Sequence, residues 1–245
     1  MTEKPKLETV AREAGVSMAT VSQVLRGTGR ISEQTRKKVL AAATRLHYVP
    51  DGRAAAMRSG ERREIGLVIQ AIANPFNAEV ISGVSDLLES EGYLLSIRDS
   101  QDDAARERRN LEAFIRSSRG GLLWVPANDT PDATLDLLRA QRMPTVTFLR
   151  PAPSGEFDHV GIRNARATAE ATSHLADLGH RHIAYFGGAT TSVVRAERID
   201  GYARVMGERD LGPPLVWETG DDKLSGRDAM RALRAAHPEV TALVC

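Results

Sequence analysis

The chain has 245 residues, of which 42% are hydrophobic and 27% charged, and it contains no apolar run of the roughly 18 residues that a membrane-spanning helix needs. This composition favours one or two globular domains and excludes a membrane-spanning chain. The charge is uneven, since residues 1–60 carry eleven Lys and Arg against five Asp and Glu, whereas the remainder carries 22 against 27. A basic head on a mildly acidic body predicts that the head contacts a polyanion.

The first residues, MTEKPKLETV, contain no apolar stretch that could serve as a secretory signal. Cys245 is the one cysteine of the sequence and the last residue, so it forms no internal disulfide and has no neighbours at metal-ligand spacing. These features favour the cytoplasm and predict neither a metal nor a cofactor.

The first 50 residues show three short helical patterns. The first has an apolar stripe at the spacing i, i+3, i+4 and i+7, formed by Leu7, Val10, Ala11 and Ala14. Gly15 is expected to end this helix, and Ser17 to begin the second. The second helix is predicted to face inward with Val21, Val24 and Leu25. A third begins at Ser32 and is predicted to bury Val39, Leu40, Ala43 and Leu46.

Two helices joined by a tight glycine turn, with a third helix behind them, are typical of a helix-turn-helix unit whose second helix enters the DNA major groove. Basic side chains would then contact phosphates without reading sequence, namely Arg26, Arg30, Arg36, Lys37, Lys38 and Arg45. The alternative is a three-helix cap on the next domain with a solvated basic face.

The stretch VAREAGVSMATVSQVLRGTGRISEQTRKKVLAAATRLHYVP resembles the headpiece of the lactose-repressor/galactose-repressor family of bacterial transcription regulators. The likeness begins near Leu7 and continues more loosely to the end of the chain. It implies a DNA-binding headpiece over 1–49. It also implies that DNA-backbone contacts come from Ser17, Thr20 and Ser22, and that base-reading positions are held by Met18, Ala19 and Gln23. Family members often carry Arg where this chain has Gln23 and Asn where it has Arg26, so a typical operator is not implied.

A hinge is expected over 50–62, because the segment PDGRAAAMRSG is too short to form a stable isolated helix. The resemblance implies that this segment becomes a helix in the minor groove, paired with its twin from a second subunit, with Ala54 and Met57 at the DNA. Met57 replaces the usual Leu and can still wedge between base pairs. The alternative is a flexible linker in which Met57 has no role.

From Glu64 onward, apolar runs alternate with helical stretches, as in consecutive β-α units on a buried parallel sheet. The predicted strands of a first lobe over 63–159 are IGLVI, YLLSI, GLLWV and PTVTF, and those of a second lobe over 160–245 are HIAYFGG, PLVWE and TALVC. We therefore expect an all-α headpiece followed by an α/β sensor with two lobes, similar to periplasmic sugar-binding proteins. Since the family continues beyond TALVC, the second lobe is expected to be incomplete, as in a chain truncated at its C-terminus, and the response to an effector impaired.

No phosphate loop, dinucleotide fingerprint, nucleophile elbow or HExxH motif is present in the sequence. The GHRH segment at 179–182 is interpreted as a helix-to-strand turn rather than a metal site. An α/β enzyme is therefore disfavoured. A solute-binding protein that feeds a transporter is also disfavoured, because it predicts a signal peptide and no basic headpiece.

The resemblance assigns effector contacts to Asn74 and Phe76 after the first strand and to Arg198 in the segment RAERIDGY. The alternative for Arg198 is a surface ion pair with Glu197 or Asp200. Leu149, where members often have Asp, and Asp222, where an aromatic residue is common, depart from the family pattern. A sugar, polyol, nucleoside or acid therefore remains open.

The leading hypothesis is a transcriptional repressor that binds a near-palindromic double-stranded operator as a homodimer, under the control of a small sugar-like effector. A candidate dimer surface is the apolar stripe of the helix after NPF, namely Val80, Ile81, Val84, Leu87 and Leu88. The alternative for this stripe is packing on the sheet, which must account for at least half of it.

Overall fold

The computed structural model describes residues 4–50, 63–117, 120–188, 190, 192–220 and 222–245. The chain forms two compact units, Met1–Glu61 and Arg62–Cys245. Each unit has its own hydrophobic core.

All regular secondary structure among the described residues of the first unit is helical. Its helices are α1 (Leu7–Ala14), α2 (Met18–Arg26) and α3 (Glu33–Arg45). Gly15 ends α1 at φ 67°, a left-handed conformation that glycine adopts without strain. The Ser17 and Ser32 hydroxyls cap α2 and α3 by accepting hydrogen bonds from Thr20 N and Thr35 N. The predicted turn and both predicted caps are therefore confirmed.

The core of this unit is small and is formed by all three helices. Its buried members are Val10, Ala11, Val21, Val24, Val39, Ala42 and Ala43. The prediction for Leu40 is wrong, because 45% of its surface is exposed. The inward positions of α3 are 39, 42, 43 and 46, with the same spacing as those of α1, and Leu40 lies outside that stripe.

The second unit begins with a five-stranded parallel sheet. Its strands are β1 (Glu64–Ile69), β2 (Leu94–Asp99), β3 (Gly121–Trp124), β4 (Thr145–Phe148) and β5 (Asp158–Val160), in the order β2-β1-β3-β4-β5. The intervening helices are α4 (Pro75–Ser90), α5 (Ala104–Arg116) and α6 (Asp132–Gln141). One face of β1 packs against α4 and the other against α5 and α6. The predicted series of β-α units on a parallel sheet is confirmed, and the helices cover both faces of the sheet.

Strand β5 is an addition to the prediction. All three of its residues are exposed, so the sequence offers no apolar run there, and its pairing with β4 defines it instead.

A second, three-stranded parallel sheet follows. It contains β6 (Ile183–Phe186), β7 (Leu215–Trp217) and β8 (Ala242–Val244) in the order β7-β6-β8, with helices α7 (Asn164–Asp177), α8 (Val193–Glu208) and α9 (Lys223–Ala236). Helices α7 and α8 approach closely at Gly201, where an added Cβ would lie 2.0 Å from the Ala165 carbonyl oxygen. Tyr202 anchors the sheet, because its hydroxyl donates to Ile183 O at 2.7 Å and accepts from Leu215 N at 3.0 Å.

A carboxyl group is buried in the core of the first sheet. Glu107 is fully buried and accepts hydrogen bonds from Trp124 Nε1 at 2.9 Å, Ala127 N at 2.7 Å and Thr130 Oγ1 at 2.9 Å. Burial raises the pKa of Glu107, because it disfavours the charged form more than these three donors favour it.

Among the described residues, no helix is long and apolar enough to cross a membrane.

Candidate functional site

The outward face of α2 is polar and accessible. Met18, Ala19, Gln23 and Arg26 are exposed and Ser22 is half-buried. Their spacing places all five on one face of the helix, opposite the buried Val21 and Val24. A helix that projects such a face from a small three-helix core can enter the major groove of DNA.

Two of the predicted backbone-contacting residues also hold the start of α2. Ser17 Oγ accepts from Thr20 N at 3.1 Å and lies 3.0 Å from Thr20 Oγ1. This arrangement satisfies one free amide at the N-terminus of the helix. The same N-terminus presents the positive end of the helix dipole, which favours an anion nearby.

The side chains at the far end of α2 lie against the backbone. Arg26 Nε donates to Ser22 O at 3.2 Å. The Gln23 amide lies close to Gly29, whose added Cβ would meet Gln23 Oε1 at 3.1 Å, and Gly29 adopts φ 80°. A larger residue at position 29 would therefore displace the candidate base-reading amide.

The basic residues around α2 differ in accessibility. Arg30, Lys37 and Lys38 are exposed and Arg36 is half-buried. Arg45 forms an ion pair with Glu13 at 3.0 Å, which links α3 to α1. Such an exposed pair is weak, so it does not prevent Arg45 from contacting a phosphate. Ala54 and Met57, predicted to contact the minor groove, lie outside the described residues.

A second candidate site lies at the carboxyl edge of the first sheet, where open α/β sheets bind ligands. Asn74 caps α4, with its Oδ1 accepting from Phe76 N at 3.0 Å. Phe76 is 46% exposed, so its ring can stack on a ligand ring. Two buried amide oxygens of the described chain, Gln70 Oε1 and Asn77 Oδ1, have no hydrogen-bond partner, which leaves acceptors at this edge.

Three further polar residues meet at the same edge, from the loops after β2, β3 and β4. Asp102 Oδ1 accepts from Arg150 Nη1 at 2.6 Å, and Asp102 Oδ2 accepts from Asn128 Nδ2 at 2.8 Å. Asp102 and Leu149 adopt φ 55° and 62°, which are unusual for residues with a side chain. The sequence analysis named Leu149 in this region but missed Asp102, Asn128 and Arg150. Their positions just beyond strand ends were the available signal.

Arg198 lies in α8, in the layer that covers the second sheet, and is half-buried. Its Nε donates to Asn164 Oδ1 at 3.1 Å, and Asn164 Nδ2 in turn donates to Glu197 Oε2 at 2.9 Å. The neighbouring Arg195 was missed by the sequence analysis. It is 9% exposed, donates through Nε to Gly187 O at 3.0 Å and approaches Glu218 at 3.8 Å.

The side chains at the carboxyl edge of the first sheet suit a polar organic ligand. Amide oxygens, a carboxylate and guanidinium groups offer both acceptors and donors, and Phe76 offers an apolar face. Within the described residues, no group of His, Cys, Asp and Glu could hold a metal ion. In the GHRH segment, which was weighed above as a metal site, the His180 side chain instead forms a hydrogen bond with Thr241, with Nδ1 and Oγ1 2.9 Å apart.

Two family models match the chain. The model of bacterial regulatory proteins of the lacI family matches residues 6–51, and the periplasmic binding protein domain matches residues 65–245. The two matches correspond to the two compact units of the structure.

Among curated proteins, the maltose regulon regulatory protein MalI of Escherichia coli K12 is 30% identical over 99% of this chain and 72% of its own length. The ribose operon repressor of the same strain is 34% identical, over 95% and 71%. A lacI-family regulator from Silicibacter pomeroyi has a TM-score of 0.78 at 26% identity, over 98% of this chain and 72% of that one. The lac repressor dimer bound to operator and anti-inducer has a TM-score of 0.80 at 22% identity, over 96% and 71%, which shows a shared fold.

Proposed function

The chain belongs to the lacI family of bacterial regulatory proteins, and we propose that it represses an operon by binding a near-palindromic operator as a cytoplasmic homodimer. A small, sugar-like effector controls this binding, and the protein acts without catalysis. In this proposal the headpiece spans 1–49, the hinge 50–62, and the two sensor lobes 63–159 and 160–245.

The observation that carries the proposal is the outward face of α2. Its exposed side chains have no structural task in the helical core, and they combine an amide with short apolar groups. Gln23 can bond an adenine edge with two hydrogen bonds, and Met18 and Ala19 can pack on thymine methyls. The surrounding basic residues supply attraction that does not depend on sequence.

The test is selection of duplexes from a random DNA pool by the purified chain at two salt concentrations, followed by sequencing. We expect a near-palindrome with a pyrimidine-purine step at its centre, because such steps kink most easily. Recovery of unrelated sequences, with binding lost at the higher salt, would show that the headpiece binds only phosphates and would contradict sequence-specific repression.

Two variants separate base reading from phosphate contact. Gln23→Ala should relax preference at one base pair of each half-site at a cost of about 1–3 kcal/mol. Lys37→Ala removes an exposed charge on α3 and should weaken binding equally for all sequences, with a salt slope reduced by about 1. Equal behaviour of the two variants would refute the role of Gln23.

The proposed effector site combines the carboxyl edge of the first sheet with Arg198. To test it, the melting temperature of the chain is measured with and without added D-ribose, maltose or cellobiose. A molecule that binds only the folded chain raises its melting temperature. Arg198→Gln should abolish that shift, whereas Arg166→Gln should retain it, because Arg166 on α7 is exposed and forms an ion pair with Glu170 of the same helix at 2.7 Å.

In this proposal, the dimer interface is formed by α4 and the edge strand β2. Of the predicted apolar stripe, Val80, Ile81 and Val84 pack on the sheet, as the alternative required. Leu87 remains 65% exposed, and Leu94 in β2 is 69% exposed. An apolar surface beside an unpaired strand edge is a site for association.

A further inference from the structure

Arg195 lies at the carboxyl edge of the second sheet, where open α/β sheets bind ligands. It is the third residue of α8, and its Nε donates to the oxygen of Gly187, the first residue after β6, at 3.0 Å. Its Nη2 lies 3.8 Å from Oε1 of Glu218, the first residue after β7. The guanidinium is therefore held beside the carboxyl ends of two neighbouring strands.

One donor of this guanidinium has no acceptor. Arg195 is only 9% exposed, and its Nη2 is buried with no hydrogen-bond partner among the described residues. The separation of 3.8 Å from the Glu218 carboxylate is too long for a hydrogen bond. The centroid of the Tyr185 ring lies 5.9 Å from Arg195 Cζ, and this cation–π contact offsets part of the cost of burying the charge. Because a buried donor without an acceptor is costly, Nη2 indicates a place for an acceptor from outside the chain.

The loop after β6 holds the arginine side chain in one position. Gly187 and Gly188 adopt φ 124° and 78°, in the region that favours glycine. An added Cβ at Gly188 would lie 3.0 Å from Arg195 Cδ, so the loop backbone runs directly against the stem of the arginine. This contact and the bond to Gly187 O fix the stem and the Nε side of the guanidinium. A donor that is already fixed binds an anion with little further loss of conformational freedom.

Glu218 stands where an external anion would bind, but it is held weakly. Its side chain is 65% exposed, whereas that of Arg195 is 10% exposed. An exposed glutamate that forms such a long ion pair gains little from it, because the pairing also orders a flexible side chain. The Glu218 carboxylate can therefore turn into solvent and leave its place to a carboxylate that other contacts hold as well.

Two features of α8 favour an anion at the same place. The helix has 16 residues and begins after its cap, Ser192, so the positive end of its dipole lies beside Arg195. Val193, its first residue, is 53% exposed, which leaves this end of the helix accessible. Arg198 follows Arg195 by three residues and lies on the same side of the helix.

We propose that Arg195 binds a carboxylate of the effector, which makes the effector a small organic acid, such as a sugar acid, rather than a neutral sugar. The carboxylate replaces that of Glu218 at Nη2, and the rest of the molecule contacts Arg198 and the carboxyl edge of the first sheet. This inference rests on the proposed control by an effector and names the chemical class of that effector.

The first test compares sugar acids with their neutral counterparts by the melting temperature of the full chain. The pairs are D-gluconate with D-sorbitol, D-glucuronate with D-glucose, and D-galacturonate with D-galactose, and sodium chloride balances the ionic strength. A molecule that binds only the folded chain raises its melting temperature. We expect a rise with at least one acid and none with its neutral counterpart. A rise with neutral sugars alone overturns the acid class while effector control stands, and no rise with any acid also overturns it.

Two variants then distinguish a ligand contact from a structural ion pair, with the affinity for the acid measured by calorimetry. Arg195→Gln should weaken binding at least about tenfold, because a hydrogen bond to a charged group is lost. Glu218→Gln removes the competing carboxylate from an exposed side chain, so it should leave the fold intact and strengthen binding a few-fold. If Glu218→Gln lowers the melting temperature and does not strengthen binding, the pair is structural and the inference is overturned.

The matched control is Glu170→Gln. The Glu170 side chain on α7 is also 65% exposed and forms an ion pair with an arginine, Arg166, so the substitution changes the net charge equally. It should leave the affinity for the acid unchanged. If Glu170→Gln strengthens binding as much as Glu218→Gln, the gain comes from net charge and the role of the Arg195 site is overturned.

Discussion

Substitution of one buried glycine in α8 should destabilise the second unit although it improves helix propensity. Gly201 is buried, and an added Cβ would lie 2.0 Å from Ala165 O and 2.7 Å from Ala165 C. These atoms belong to the backbone of α7, so no rotamer change can relieve the clash. Gly201→Ala therefore requires α7 and α8 to separate.

The magnitude follows from two opposing effects. Alanine in a helix interior gains about 0.5–1 kcal/mol over glycine. Overpacking typically costs about 1–3 kcal/mol, and contact with a backbone atom favours the upper part of that range. The net loss is on the order of 1–2 kcal/mol, which lowers the melting temperature of a unit of this size by roughly 2–8 °C.

The matched control lies in the same helix. Gly207 is exposed, and an added Cβ meets nothing within 4 Å, so Gly207→Ala should raise the melting temperature slightly. Both variants are compared with the parent by circular dichroism. If Gly201→Ala melts at or above the temperature of Gly207→Ala, the close approach of α7 and α8 is not a constraint on folding and the reasoning is refuted.

Three other changes have defined outcomes. Ser17→Ala removes the cap of α2 and should destabilise the first unit by about 1 kcal/mol in thermal melts, whereas Ser17→Asp should not. Tyr202→Phe leaves two buried backbone groups without their partner and should cost about 1–3 kcal/mol in urea unfolding. Because burial raises the pKa of Glu107, its stabilising contribution is complete below the ordinary carboxyl pKa and is lost as pH rises through the raised value. The Glu107→Gln variant should therefore gain stability relative to the parent as pH rises. If the stability difference between the two proteins does not change with pH, the pKa of Glu107 is not raised.

The parts of the fold that local chemistry specifies were predictable from sequence. The roles of Gly15 and Ser17 follow from their residue types, because glycine readily adopts a left-handed φ and serine has a hydroxyl that can cap a helix. Strand β5 and Asp102 could not be found in that way, since the strand is defined by its pairing with β4 and the carboxylate by partners 26 and 48 residues away. The prediction that Leu40 is buried was wrong for a simpler reason: an apolar residue next to a buried one in the sequence need not lie on the same face of the helix.

The candidate effector site is connected to the core of the first sheet through a chain of hydrogen bonds. Glu107 holds the loop after β3 by accepting from Ala127 N and Thr130 Oγ1. Within that loop, Asn128 N and Nδ2 both donate to Asp102, which in turn accepts from Arg150. Asp102 therefore positions the Arg150 guanidinium directly, and Glu107 supports this arrangement from the core by holding the loop that contains Asn128. Because these hydrogen bonds already hold the partly buried side chains of Asp102, Asn128 and Arg150, a ligand bound at this candidate site would need to order them little.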